Sequence, residues 1–280
     1  METGASALWK SGAGNAWVEE QAVIDQMFRP IETLLVEEAA MAAPGTGARV
    51  LDVGCGTGGA TLALARRLGH GARCTGIDIS EPMIASARLH ARQEGLPADF
   101  VCADAQRHRF EPGTFDVVVS RFGVMFFDDP VAAFANLRQA TRAGGQLQFV
   151  AWRTAEENPF MTAAEHAARP LLPGLPPRQP DEAGQFGFAR EAHVREVVSH
   201  AGWERVNVAP LDVQCRFPER ELVGYLSRMG PVGRALDGMD AGTRQRVIEA
   251  VRPAFNAFVG GDTVSFRAAC WMVSAQAPGM

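Results

Sequence analysis

The sequence contains no dense run of lysine or arginine, no long apolar segment and no signal-like N-terminus. Its 280 residues carry a formal net charge of −5, which argues against a nucleic-acid-binding surface because such surfaces need clustered positive charge. No run reaches the roughly 18 apolar residues of a membrane span. We therefore expect a cytoplasmic protein with no nucleic-acid partner and no membrane insertion.

The five cysteines are far apart and include no C-x-x-C pair. This spacing argues against a disulfide framework or a zinc site, and it fits a reducing compartment. Histidines and carboxylates also form no cluster with metal-ligand spacing, so we expect no metal.

Strand-like and helix-like runs alternate over residues 48–152. Alternation of this kind predicts βαβ units and a parallel sheet that is covered on both faces. The predicted strands in this region cover 48–53, 73–79, 99–105, 115–122 and 146–152.

The chain on either side of this core has a different pattern. Residues 1–47 have helical spacing, and two insertions, at 153–190 and 218–262, interrupt residues 153–280. The first insertion is rich in proline, which predicts an irregular loop, and the second has helical apolar stripes. Strands near 204–213 and 263–275 complete the predicted sheet.

The stretch VLDVGCGTGGAT, residues 50–61, leaves the nature of the ligand open. Gly54, Gly56 and Gly59 match the dinucleotide pattern G-x-G-x-x-G. Asp78, at the end of the next strand, suits ribose hydroxyls in a dinucleotide or a nucleoside. Asp52 separates the two, because a carboxylate that points into the loop disfavours a pyrophosphate and favours an ammonium group. We therefore expect a phosphate-free nucleoside with an amino-acid end.

Four motifs in order, VLDVGCGTG, GIDIS, CADA and FDVVVSRFGVMFF, resemble those of the class I S-adenosylmethionine-dependent methyltransferases. The ubiquinone/menaquinone-type and related small-molecule enzymes are the most similar group. The resemblance implies a Rossmann-like, doubly wound α/β fold with a mostly parallel seven-stranded sheet, in which the helical insertions form a lid. It also implies S-adenosylmethionine as cofactor and S-adenosylhomocysteine as product.

The resemblance further implies a role for each matching residue. Asp52, Gly54, Gly56 and Gly58 would form the loop, with backbone contacts from Cys55 and Thr57. Asp78 would bind the ribose, Ile79 and Met83 would flank the adenine, and Asp104 and the Ala105 amide would bind its edge. Ser120 and Arg121 would lie under the methionine portion, although Arg121 could equally be a structural ion-pair partner. Trp9, Trp17 and Gln21 would fold over the cofactor.

The acceptor side has weaker signals. The sequence lacks the Asn/Asp-Pro-Pro-aromatic motif that nucleic-acid and protein-amide methyltransferases commonly have after the fourth strand. With the acidic balance, this points to a small molecule. Candidate acceptor contacts are Phe122, Phe160, Met161, Tyr225 and Met229, and this apolar lining suits an apolar or aromatic acceptor. These stripes could equally pack the insertions onto the sheet. The sequence gives no strong general base; His166 is the best-placed candidate, and the alternative is a histidine on the surface or in the core of a helix.

The sequence thus predicts a methyltransferase that acts on oxygen, nitrogen or carbon of a small molecule by direct displacement. Two alternatives stay open at this point: an NAD(P)-dependent oxidoreductase, and a protein that binds S-adenosylmethionine without methylating anything.

Overall fold

The computed structural model describes residues 5–10, 12–178 and 181–279. Its strands are β1 (Arg49–Val53), β2 (Arg73–Asp78), β3 (Ala98–Cys102), β4 (Phe115–Arg121), β5 (Thr141–Trp152), β6 (Glu204–Pro218), β7 (Val259–Gly260) and β8 (Thr263–Gln276). Seven of them form one sheet in the order β3-β2-β1-β4-β5-β8-β6, and the two-residue β7 pairs with β8. The strands from β3 to β5 are parallel, and β8 is antiparallel to both neighbours. The predicted seven-stranded, mostly parallel sheet is confirmed.

The helices occupy the segments between the strands and both insertions. They are α1 (Ala5–Trp9), α2 (Gly12–Glu19), α3 (Gln21–Ala42), α4 (Gly59–Leu68), α5 (Glu81–Glu94), α6 (Pro130–Ala140), α7 (Pro159–Ala168), α8 (Glu191–His200), α9 (Leu222–Arg228), α10 (Gly230–Leu236) and α11 (Ala241–Val251). Within the described part of the chain, none of these helices is long and apolar enough to cross a bilayer.

Both faces of the sheet are buried, as alternate residues of β1 and β4 demonstrate. Leu51 and Val118 belong to one hydrophobic cluster, whereas Val50 and Val117 belong to another. Because successive side chains of a strand point to opposite faces, the two clusters lie on the two sides of the sheet. The continuous apolar runs in these strands therefore follow from burial on both faces.

Strand β3 ends earlier than the sequence pattern predicts, at Cys102 rather than near residue 105. The Asp104 side chain accepts a hydrogen bond from the amide of Gln106, with Oδ1 and N 2.9 Å apart. A carboxylate that binds the amide two residues ahead forms a turn of its own and competes with strand pairing. This turn brings residues 103–106 to the carboxyl edge of the sheet.

Strands β6 and β8 form an antiparallel ribbon that is longer than predicted. β5 pairs with β8 only as far as Trp152, opposite Cys270, while β6 and β8 stay paired to Pro218, opposite Thr263. The ribbon therefore extends beyond the carboxyl end of β5. It carries residues 219–262, with α9 to α11, on the side of the sheet where α/β proteins bind ligands.

The first insertion begins with α7 and then continues without helix or strand, over the residues described, as far as α8. Asn158 fixes its position. The Asn158 side chain is 1% exposed; its Nδ2 donates to the carbonyl of Ala269, and its Oδ1 accepts from the Ala269 amide, both at 2.9 Å. This pair of hydrogen bonds holds the start of α7 against the extended end of β8.

Candidate cofactor site and acceptor cavity

A cavity of about 550 Å³ lies at the carboxyl edge of the sheet. One end is lined by residues of the glycine loop and of the turns after β2, β3 and β4. The other end is lined by α7, α9 and α10 from the two insertions. Both parts of the predicted site therefore face one continuous space.

The glycine loop touches the turn after β4 through backbone alone. Gly54 has φ +66°, and a Cβ at this position would lie 2.6 Å from Cα of Gly123. Any side chain at Gly54 would push the two turns apart. At Gly56, in contrast, a Cβ would project into open space bordered by Met83 Sδ and Trp17 Nε1, each 3.7 Å away. Gly56 thus leaves room that a side chain would fill.

Four amides of the loop already have partners within the protein. These hydrogen bonds run from Gly54 and Cys55 to the carbonyl of Ile77 (2.8 and 3.1 Å), from Gly56 to Asp78 Oδ2 (2.9 Å) and from Gly58 to the carbonyl of Cys55 (3.0 Å). A pyrophosphate at a helix N-terminus needs such amides as donors. Their use here favours a ligand without phosphate.

Asp78 lines the cavity with both carboxylate oxygens held by backbone. Oδ2 accepts from Gly56 and Oδ1 accepts from Ser80, each at 2.9 Å. Burial raises the pKa of Asp78, and the backbone donors oppose that rise. Each oxygen keeps a lone pair for a further donor such as a ribose hydroxyl. Ile79 and Met83 line the same part of the cavity.

Asp104 and Ala105 line the cavity beside this carboxylate. The Asp104 Oδ1 atom accepts from the Gln106 amide, while Oδ2 lies 3.8 Å from Arg107 Nε, a long contact with an exposed arginine. Oδ2 can therefore accept a hydrogen bond from an exocyclic amine. The Ala105 carbonyl accepts from Asn136 Nδ2 at 2.9 Å, which holds this turn against α6.

Asp52 does not point into the cavity, contrary to the sequence expectation. Its side chain is 1% exposed, and its Oδ2 accepts from Thr61 Oγ1 of α4 at 2.6 Å. Burial raises the pKa of the Asp52 carboxyl to about 6. Its other oxygen, Oδ1, is buried with no hydrogen-bond partner among the residues described.

Arg121 lies at the cavity wall in an ion-pair network whose acidic partners the sequence did not indicate. Its NH1 is 3.1 Å from Glu32 Oε2, and its NH2 is 3.8 Å from Asp25 Oδ1, both on α3. Burial raises the pKa of Glu32, and the Arg121 charge opposes that rise. The arrangement matches the ion-pair alternative for Arg121 while leaving its edge on the cavity.

Four other predicted cofactor residues lie outside the cavity lining. Ser120 is fully buried: its hydroxyl donates to the carbonyl of Val53 at 2.7 Å and accepts from the amides of Gly123 and Val124. Cys55, Thr57 and Gly58 face the interior, and burial raises the pKa of the Cys55 thiol. Gly58 is the N-cap residue directly before α4, with φ +89°. These residues shape the loop from behind.

The observed donors and acceptors fit S-adenosylmethionine. Asp78 and Asp104 have spare acceptor capacity at the cavity, the loop amides have internal partners, and Gly56 leaves open space. Outside the cavity lining, Oδ1 of Asp25 and Oδ1 of Asp52 are buried with no hydrogen bond among the described residues, although Asp25 Oδ1 lies 3.8 Å from Arg121 NH2. The acceptors that do face the cavity suit a ligand with hydroxyl and amine donors and no phosphate.

Helices α1 and α2 cover the loop. Trp9 and Trp17 line the cavity and contact each other edge to face, with centroids 5.7 Å apart, and Trp9 contacts Phe126 in the same way. Gly14 lets α2 approach Ser80, because a Cβ there would overlap Ser80 Oγ and lie 2.9 Å from the carbonyl of Trp9. Gln21 lies against α5, where Ser86 Oγ donates to its Oε1 at 3.1 Å.

Phe122 stands between the two ends of the cavity with φ +65°, a backbone conformation that is uncommon outside glycine. Its ring stacks on Trp152 at a centroid distance of 4.5 Å and meets Phe28 edge to face. A strained backbone of this kind persists only where the surroundings enforce it, and it is often found at functional sites.

The far end of the cavity is mostly aromatic and sulfur-containing. Phe160, Met161, Tyr225 and Met229 all line it. Phe160 stacks on Phe266 of β8 at 3.9 Å, so it also packs the insertion onto the sheet. Burial raises the pKa of Tyr225 to about 12, and its hydroxyl lies 4.0 Å from Met161 Sδ. The tyrosine is therefore a neutral donor at physiological pH.

His166 lies outside the cavity lining, as the alternative of a surface helix histidine implies. Its side chain is exposed on the opposite side of α7. The preceding residue, Glu165, lines the cavity instead and is 4% exposed. Helical spacing could have found it, because Glu165 follows Met161 by four residues and so shares its face.

An ion pair joins the N-terminal helices to α9 of the second insertion. Arg228 NH1 donates to Glu20 Oε1 at 2.7 Å, and Glu20 is only 7% exposed. Among the residues with described positions, no group of three or more histidines, cysteines and carboxylates is placed to hold a metal.

Comparisons with known proteins agree with this geometry. A family model described as a methyltransferase domain matches residues 50–145. Nocamycin O-methyltransferase of Saccharothrix syringae is 29% identical over 210 residues, covering 71% of this chain and 74% of that protein. Ubiquinone biosynthesis O-methyltransferase of Xylella fastidiosa is 32% identical over 193 residues, covering 66% and 74%. A solved structure described as a putative methyltransferase from Bacillus halodurans is similar in fold, with a TM-score of 0.57, 18% identity and coverage of 87% and 98%.

Proposed function

We propose a small apolar or aromatic acceptor for this chain, which belongs to the class I S-adenosylmethionine-dependent methyltransferases. S-adenosylmethionine supplies a methyl group on a positively charged sulfur, and direct displacement by the acceptor leaves S-adenosylhomocysteine. The two named relatives are O-methyltransferases, and on that analogy oxygen is the first atom to examine.

The observation that carries the proposal is the continuous cavity between the cofactor loops and the aromatic insertions. Its 550 Å³ lies in the range of small-molecule sites, and its distal walls are built from Phe160, Met161, Tyr225 and Met229. A roofed cavity of this size suits a compact molecule better than a polymer. Burial of an apolar acceptor there stabilises the complex by about 25 cal/mol for each Å² removed from water.

The residues at the cofactor end have distinct proposed tasks. Asp78 would accept ribose hydroxyls while its own position is held by the amides of Gly56 and Ser80. Asp104 Oδ2 and the Ala105 amide would bind the edge of the adenine. Trp9 and Trp17 would exclude water from above, and the insertions would do so from the acceptor side. Orientation of donor and acceptor would then supply much of the rate.

Tyr225 would orient the acceptor rather than deprotonate it. A hydroxyl with a pKa of about 12 stays protonated at neutral pH, so it donates a hydrogen bond to a polar atom of the acceptor. Since Tyr225 is neutral and His166 lies outside the cavity, the best-fitting acceptor is one whose nucleophilic atom can attack without first losing a proton to a side chain.

The test is methyl transfer from labelled S-adenosylmethionine to fractions of a small-metabolite extract. The proposal expects label in a low-mass, organic-soluble product, and none from an Asp78→Ala variant. A parallel macromolecular fraction supplies the contrast: label in that fraction alone would refute a small-molecule acceptor. Cofactor binding, measured by calorimetry with S-adenosylhomocysteine, establishes that the wild-type protein used is competent.

A further inference from the structure

The distal end of the cavity contains arginines as well as aromatic residues. Arg178, from the irregular part of the first insertion, and Arg234, from α10, both line it. We call this pair the arginine pole. The two arginines come from different insertions and meet beside α7. The pole therefore exists only when both insertions are packed together.

Glu165 is the only carboxylate that an ion pair links to the pole in the described part of the chain. Arg178 Nε donates to Glu165 Oε2 at 2.9 Å, and Arg169 NH2 donates to Oε1 at 3.1 Å. Each carboxylate oxygen of Glu165 thus already accepts a hydrogen bond from an arginine. Arg178 also lies over the ring of Phe186, 4.7 Å from its centroid, which fixes the plane of the guanidinium.

Arg234 has no carboxylate within ion-pair distance among the described residues, although Glu165 is near. The Arg234 residue is exposed to solvent as a whole, and partial burial, together with the charge of Arg178, lowers its pKa. Three arginines, Arg169, Arg178 and Arg234, thus surround one carboxylate. Of the other acidic residues at the cavity, Asp78 and Asp104 belong to the cofactor end, and Glu182 is exposed and forms no ion pair with either arginine of the pole among the described residues.

Arg169 and Arg234 are exposed to solvent, whereas Arg178 is partly buried, and its NH2 atom is buried with no hydrogen bond among the described residues, although it lies 2.8 Å from Glu165 Oε2. A partly buried guanidinium donor of this kind is stabilised when a ligand compensates it. Guanidinium groups bind carboxylates and similar planar anions through paired hydrogen bonds. Arg178 is already oriented by Glu165 and Phe186, and Arg234 has donors free to bind. The pole is therefore prepared for one more negative group than the protein supplies.

We propose that the methyl acceptor carries an anionic group, of the carboxylate kind, that binds Arg178 and Arg234, while its apolar body lies against Phe160 and Met161. This inference rests on the proposed function, since it assigns the substrate class of the same cavity. It makes Arg234 a specificity-determining residue. Arg178 is less suited to mutation, because its loss would leave buried Glu165 with less compensation.

The experiment compares two fluorescent probes with the same aromatic skeleton: anilinonaphthalene sulfonate, which is anionic, and phenylnaphthylamine, which is not charged. Binding is titrated with saturating S-adenosylhomocysteine, so that the cofactor end is filled. Wild-type protein should bind the anionic probe about tenfold more tightly than the uncharged one, as expected for a charge-assisted interaction of about 1.4 kcal/mol.

Arg234→Gln should reduce this preference to within about twofold while leaving the affinity for phenylnaphthylamine unchanged. Arg246→Gln is the matched control. Arg246 is an exposed arginine of the same insertion that bonds only Thr243 Oγ1, at 2.9 Å, among the contacts described. This control should keep the full preference.

Equal affinity of wild-type protein for the two probes, or an undiminished preference in Arg234→Gln, would overturn the anionic assignment. Binding of phenylnaphthylamine would then still support an apolar acceptor. If neither probe binds while S-adenosylhomocysteine does, the anionic assignment and the proposed apolar acceptor both fall.

Discussion

Gly14 offers the sharpest test of whether the N-terminal helices close over the cofactor. The methyl group introduced by Gly14→Ala would overlap Ser80 Oγ and lie 2.9 Å from the carbonyl of Trp9. Overpacking of this kind costs about 1–3 kcal/mol. Since Ser80 follows the ribose-binding candidate Asp78 by two residues, this cost falls on the contact between α2 and the cofactor end.

Gly12→Ala is the matched control in the same helix. Among the described residues, a Cβ at Gly12 meets only Asp237 Oδ2, at an ordinary 3.5 Å. Both substitutions gain a similar helix propensity, up to about 1 kcal/mol, so the difference between them isolates the overlap. If docking of α2 is needed for binding, about 1–3 kcal/mol corresponds to an affinity about fivefold to a hundredfold lower for Gly14→Ala than for Gly12→Ala.

The assay is calorimetric titration with S-adenosylhomocysteine, together with thermal unfolding of the ligand-free proteins. We expect similar melting temperatures for the two variants, because α2 contributes little to the main core. Adding Ser80→Ala to Gly14→Ala removes one of the two overlaps and should restore part of the affinity. Equal affinities of Gly12→Ala and Gly14→Ala would refute the closing role of α2.

Three further predictions concern individual side chains. Burial places the pKa of Asp52 at about 6, above its ordinary value of 3.8. The folded protein therefore holds this proton to higher pH than the unfolded chain does. As a result, the free energy of unfolding of the wild type falls as pH rises between these two values, by at most about 3 kcal/mol. Asp52→Asn lacks that slope, so its stability relative to wild type in urea unfolding should increase from about pH 4 to about pH 7; a pH-independent difference would contradict this. Tyr225→Phe should lower kcat/KM for the acceptor about five- to tenfold, with little loss of stability, since its hydroxyl has only a 4.0 Å contact with Met161; unaltered kinetics would remove its proposed donor role. Asp78→Asn should weaken S-adenosylhomocysteine binding about tenfold in calorimetry, because one acceptor oxygen becomes a donor that faces the Gly56 or Ser80 amide, and an affinity like that of wild type would argue against ribose binding there.

Sequence patterning predicted the sheet well because strand-like and helix-like runs alternate and local signals mark some of the helix ends. Gly69 ends α4 and Asp129 begins α6 by accepting from the Ala132 amide at 3.0 Å. These signals depend on neighbours in the chain. Strand ends were predicted less well: β3 stops early because Asp104 forms its own turn, and β6 and β8 extend because each provides the partner for the other.

The site was predicted in part, and the misses share one cause. Whether a motif residue faces the ligand depends on what packs behind it. Asp52 accepts a hydrogen bond from Thr61 of α4, away from the cavity. The Ser120 hydroxyl uses its hydrogen bonds on the backbone of Val53, Gly123 and Val124. Asp25 and Glu32 lie in a helix with no recognisable motif, and only the packing of α3 brings them to Arg121.

The ribbon of β6 and β8 makes the helical segment 219–262, which covers the acceptor end of the cavity, a separate unit from the rest of the sheet. Pro218 and Thr263 are register partners, so everything from residue 219 to 262 departs from and returns to one point of the sheet. The entropic cost of closing such a loop grows only slowly with its length. The segment could therefore be lengthened, shortened or exchanged for another helical cassette with the parallel strands and the glycine loop unchanged. In evolution, or in a chimera, replacing this one cassette would change the acceptor contacts of Tyr225, Met229 and Arg234, while the first insertion and the methyl-donor half of the protein are inherited intact.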